Sequence, residues 1–86
     1  MTTRMCVEKC RSLQDAKKLA ALGQSIRRIR KARNTSQEAL AYMTDIDRSH
    51  MGKIERGERN ITLLNIVRIA EALDEKPSEI LSAAGL

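Results

Sequence analysis

The chain has 86 residues, enough for one small domain and one modest core, and it contains no Trp or Phe and a single Tyr, so that core is aliphatic. One Pro and four Gly argue against a turn-rich strand fold, while abundant Ala, Leu, Glu, Lys and Arg favour helices. The net charge of +5 is divided unevenly: residues 1–35 hold ten Lys/Arg against two Asp/Glu, and residues 36–86 hold six against nine. A basic first third points to a polyanionic partner, the plain alternative being an ordinary solvated face.

Residues 1–11 are weakly patterned. Cys6 and Cys10 stand four apart, a spacing that is strained for a disulfide within one helix. His50 is the only other soft ligand, so no metal site is expected and the two thiols read as reduced. No secretory leader and no apolar run of about 18 residues is present, which gives a cytoplasmic expectation with no membrane contact. Ser12 is a candidate helix cap, with Asp15 three positions on and Leu13, Ala16, Leu19 and Ala20 recurring at helical spacing. Gly23 interrupts the pattern. Residues 1–21 are therefore either a separate, partly helical extension or a prolongation of the helix that follows.

From Leu22 to Arg33, Leu22, Ile26 and Ile29 share one face while Arg27, Arg28, Lys31 and Arg33 occupy others. Asn34 is a candidate left-handed terminator. Ser36 caps a second predicted helix, in which Ala39 and Leu40 turn inward and Met43 closes the apolar side. Thr44 to Ile46 form a short turn. Asp47 caps a third helix from Arg48 to about Arg56, stopped by Gly57. After a loop over Glu58–Ile61, Thr62 caps a fourth, with Leu63, Ile66, Val67, Ala70 and Leu73 at spacings of three and four. Asp74 to Lys76 turn the chain, and Pro77 opens a last helix through Ile80, Leu81 and Ala84. The expected class is all-α.

The central stretch is the most specific signal. Counted from Gln37, Leu40, Ile46, Met51 and Ile54 fall at the fourth, tenth, fifteenth and eighteenth places of a helix-turn-helix template, with the small Ala41 at the fifth. Asp45 stands where Gly is usual at the turn, and Thr44 is more polar than its place normally allows.

Here the sequence resembles the Cro/repressor-type, or Xre-type, helix-turn-helix regulators. The residues that carry the likeness are Leu22–Arg27 (LGQSIR), Ser36–Ala41 (SQEALA) and Ile54–Asn60 (IERGERN), within about residues 22–82. The run Asp47–Asn60 looks most like the controller proteins of restriction–modification systems. The resemblance implies a five-helix, repressor-like DNA-binding domain over 22–84, preceded by the N-terminal helical extension, binding double-stranded DNA as a homodimer without cofactor or small-molecule effector. On matching positions, Arg48, Ser49 and Lys53 are base-contact candidates, Arg48 foremost because a guanidinium forks onto guanine O6 and N7. Gly52 offers no reading side chain, so few bases are expected to be read. Gln37, Ser36, His50, Arg59 and Asn60 match backbone or minor-groove positions, with packing an equal alternative for His50. Arg30 and Glu55 match an internal ion pair.

Residues Leu63, Ile66, Ile80, Leu81 and Leu86 exceed what a core this small hides, which makes them the expected dimer surface. The Leu13–Leu22 segment is a second candidate. The competing reading is an antitoxin of the same fold that binds a protein toxin, served by the Cys6–Leu22 extension. An enzyme is least supported, since no His/Cys/Asp cluster or phosphate-cradling Gly loop is present.

Overall fold

The computed structural model describes residues 3–86, with side chains from Leu13 onward. The two cysteines lie outside the described side chains. Five helices follow one another: α1 (Thr3–Ala32), α2 (Gln37–Thr44), α3 (Arg48–Glu55), α4 (Leu63–Ala72) and α5 (Pro77–Ala83). No strand occurs among the described residues. α1 packs against α3 and α5, α2 against α3 and α4, and α4 against α5. None of the described helices is long and apolar enough to cross a membrane.

Caps predicted from sequence are present. Ser36, Asp47 and Thr62 each accept a hydrogen bond from a first-turn amide, those of Ala39, Ser49 and Asn65. Such caps satisfy amides that a helix start leaves bare. The helix ends share one device. Asn34, Asp45, Gly57, Asp74 and Gly85 all have φ between 55° and 80°. The next residue's N–H then bonds five residues back, as in Ile46 to Ala41 O (3.0 Å) and Glu58 to Lys53 O (2.9 Å). This double closure satisfies the last carbonyls and reverses the chain sharply.

The core consists of Leu22 and Ile26 from α1, Leu40 and Ala41 from α2, Ile46 from the turn, and Met51 and Ile54 from α3. Ile66, Ile69, Ala70, Leu73 and Ile80 complete it from the last two helices and the turn between them. The Ser25 hydroxyl donates to the Ile80 carbonyl (2.9 Å) and ties α1 to α5.

Four expectations require correction. No helix starts at Ser12, because α1 is continuous from Thr3, and Gly23 does not break it. A Cβ on Gly23 would stand 2.4 Å from Glu55 O and 2.6 Å from Ile54 O. The glycine therefore lets α1 and the end of α3 meet backbone to backbone. Thr44 belongs to α2 rather than to the turn, and its hydroxyl donates to the carbonyls of Leu40 (2.8 Å) and Ala41 (3.2 Å). That local bonding lets a polar side chain be buried. Ala39 and Met43 face outward, since the buried stripe of α2 is Leu40, Ala41 and Thr44. Finally, Ile66 and Ile80 are core residues, 7% and 0% exposed, and present no surface to a partner. α2 covers α4, and α1 covers α5.

Candidate nucleic-acid interface

The geometry of the interface starts at Asp45. Its φ of 57° folds the chain back after α2, so that Ile46 drops into the core and Asp47 starts α3. A residue with a Cβ bears some strain in this conformation, less for Asp than for most. Ala41, 3% exposed, keeps the crossing of α2 and α3 close, and Met51 and Ile54 anchor α3 from below. Gly57 locks the far end. With φ 74°, its added Cβ would meet Ala20 Cα at 2.7 Å, so the chain leaving α3 rests directly on α1.

A buried ion pair supports the same contact. Arg30 Nε and Nη2 donate to Glu55 Oε2 (2.7 Å) and Oε1 (3.0 Å). Arg30 Nη1 also donates to Thr35 O (2.9 Å), and Gln37 Nε2 donates to Glu55 Oε1 (3.1 Å). α1, α2 and α3 are thereby joined through one carboxylate. The expected Arg30–Glu55 pair is present, and Gln37 ties the start of α2 to the same carboxylate.

Against this scaffold the outward face of α3 is open. Arg48 and Ser49 are exposed on its first turn, and Lys53 and His50 are half-buried. Ser36 and Gln37 stand at the start of α2, the positive end of its dipole. Gln37, Asp47, Arg48, Ser49, Gly52 and Arg56 line one open groove. Arg59 and Asn60 are exposed in the loop after α3, where Asn60 Oδ1 accepts from the Ile61 amide (2.9 Å). Asn60 also borders a second depression with Asp15, Lys18 and Leu19 of α1. Arg56, which sequence reasoning passed over, is exposed at the groove rim and bonds Glu58 through Nε (2.7 Å). That hydrogen bond holds the Glu58 carboxyl below its usual range and raises the guanidinium further.

Among the described residues no group of three or more His, Cys, Asp or Glu is arranged to hold a metal ion. Two short helices locked at a fixed angle, the second presenting an arginine and a serine outward, make up a helix-turn-helix module for the major groove of DNA.

Comparison with known proteins agrees. The helix-turn-helix family model (HTH_3) matches residues 26–80. Control protein C.BamHI of Bacillus amyloliquefaciens is 45% identical over 60 residues, 69% of this chain and 74% of its own length. Control protein C.SmaI of Serratia marcescens is 37% identical over 65 residues, 76% and 77% of the two chains. The crystal structure of the restriction-modification controller protein C.AhdI from Aeromonas hydrophila superposes with a TM-score of 0.71 at 47% identity, covering 72% of this chain and 94% of that one. The chain belongs to the helix-turn-helix (HTH_3, Xre-type) family of DNA-binding regulators. Within that family it is similar to restriction–modification control proteins, and these relatives are regulators rather than enzymes.

Proposed function

We propose that this chain is a controller-type transcription regulator that binds a near-palindromic operator as a homodimer. The observation that carries the reading is the exposed first turn of α3. Arg48 and Ser49 project from a helix that the buried Met51, Ile54 and Glu55 fix to the rest of the domain. In this reading Arg48, Ser49 and Lys53 meet base edges. Ser36, Gln37, His50, Arg59 and Asn60 meet the backbone or the minor groove, Gln37 through its main-chain N–H at the start of α2. The basic residues of α1 add a long-range field that raises association rates and makes binding salt-dependent.

One domain of this size touches too few base pairs for high specificity, so two-fold pairing on half-sites about one helical turn (roughly 34 Å) apart is expected. With Ile66 and Ile80 buried, the dimer surface in this reading passes to Leu63 and Leu86, 69% and 52% exposed, with Leu81 half-buried beside them. Leu64, 67% exposed next to Leu63, joins them. The controller relatives do not favour the antitoxin alternative. No cofactor or small-molecule effector enters the reading, and a regulator of this kind acts on DNA in the cytoplasm.

The test begins by selecting a duplex from a randomised pool. Arg48→Ala then weakens binding to that duplex by about 1–3 kcal/mol and relaxes preference at one base pair. Unchanged affinity would remove Arg48 from the reading face. Light scattering on a sizing column checks the dimer, and a monomer at tens of micromolar would refute it.

A further inference from the structure

α3 carries a glycine where a reading side chain is expected, and the structure fills that place from one turn further along the helix. A Cβ on Gly52 would lie 3.2 Å from Arg56 Nη1 and 3.4 Å from Gln37 Oε1. Side chains on a helix lean toward its N-terminus, so Arg56 reaches back over the residue four before it. Its guanidinium thereby enters the groove shared by Gln37, Asp47, Arg48 and Ser49. Glu58 Oε2 accepts from Arg56 Nε at 2.7 Å, which pins one edge of the guanidinium while Nη1 faces the groove.

The polar groups around Nη1 indicate what the groove fits. Gln37 Nε2 is committed to Glu55, so Gln37 turns its acceptor oxygen toward the groove. Asp47 adds a carboxylate, one oxygen of which holds the Ser49 amide (3.1 Å). A DNA phosphate offers only acceptors and negative charge, and both Gln37 Oε1 and Asp47 oppose it. A base edge in the major groove presents donors and acceptors side by side. The arrangement of two arginines, an amide oxygen and a hydroxyl matches that mixture.

We propose that Arg56 is a specificity-determining residue that reads a base edge from this groove, in the place Gly52 leaves open, with Glu58 as its positioning residue. The proposal rests on the operator-binding reading above. Arg48 and Arg56 then read different base pairs, and the reading face is larger than α3's glycine implies.

The experiment uses a duplex that the unmodified full-length protein selects from a randomised double-stranded pool, together with all its single-base-pair variants. Arg56→Ala is expected to weaken binding to the selected duplex about tenfold or more. Preference should vanish at one base pair, distinct from the pair released by Arg48→Ala. Gly52→Ala displaces the flexible end of Arg56 and should alter preference at that same pair. Glu58→Gln should do so more weakly with an almost unchanged thermal melt, a readout that a merely structural role would not give. A uniform weakening across all duplexes, with the salt slope reduced by about one, would instead mark a phosphate contact and overturn the proposal. So would a selection profile that Arg56→Ala leaves intact, and in that case operator binding itself still stands. If the unmodified protein selects no sequence at all, both readings fall.

Discussion

α3 and its immediate exit carry two Arg–Glu pairs with the same Nε–Oε2 separation, 2.7 Å, in opposite surroundings. In Arg30–Glu55 the side chains are 9% and 3% exposed; in Arg56–Glu58 they are 57% and 54% exposed. Equal distance does not mean equal energy. The buried carboxylate accepts from Arg30 twice and from Gln37 once, so its removal leaves a buried guanidinium without its counter-charge and with Thr35 O as its remaining bonded partner. The surface carboxylate shares its arginine with water and salt, and losing it leaves nothing uncompensated. The inner pair is a joint between three helices. The outer pair aims a side chain at whatever enters the groove.

That contrast can be broken or sharpened by substitution. Glu55→Ala should have the largest effect, a loss of about 3–5 kcal/mol in urea unfolding. Replacing Arg30 and Glu55 together by Met and Leu should recover most of it, and a double variant as unstable as the single one would show that the pair is not the cause. Next comes Gly23→Ala, which forces two backbones apart for about 3 kcal/mol by the same measurement. Asp45→Ala should cost roughly 1–2 kcal/mol, since Ala tolerates left-handed backbone less well. Ser36→Ala removes the α2 cap for about 1 kcal/mol.

Glu58→Gln should be the mildest, lowering the melting midpoint at neutral pH only slightly. Its pH dependence has a definite sign. The folded carboxyl is held below its ordinary value of 4.5, so the pair's contribution is present above that value and fades as pH falls through the lowered one. The acid limb of unfolding in the unmodified protein should therefore differ from that of the variant, and the difference should shrink in high salt.

The caps at Ser36, Asp47 and Thr62, the helix ends at Asn34, Asp45 and Gly57 and the apolar template from Leu40 to Ile54 could be read from sequence, because each depends on residues within one or two turns. What escaped depends on distant neighbours. Gly23 resembles a helix interruption until the carbonyls of Ile54 and Glu55, more than thirty residues on, are found against it. Ile66 and Ile80 have the periodicity of a surplus apolar face, and only the packing of α2 and α1 over them shows that they are needed inside. Met43 errs the other way, apolar by type but turned outward. At the candidate interface, the exposed place of Arg48 and Ser49 on the first turn of α3 was legible from the Asp47 cap. Arg56 was not, because its place in the groove depends on a missing side chain at Gly52 and on Glu58 beyond the end of the helix.

The backbone contacts at Gly23 and Gly57 also bear on how fast a complex forms and how long it lasts. Contacts of this kind hold no rotamers to be frozen, so α3 meets its target already oriented and little ordering is left for the encounter. Arrival is then governed by diffusion and by the basic field of α1, and falls with added salt. Differences between one duplex and another should appear mainly in residence time, as dissociation rates that track the fit in the groove while association rates stay nearly constant.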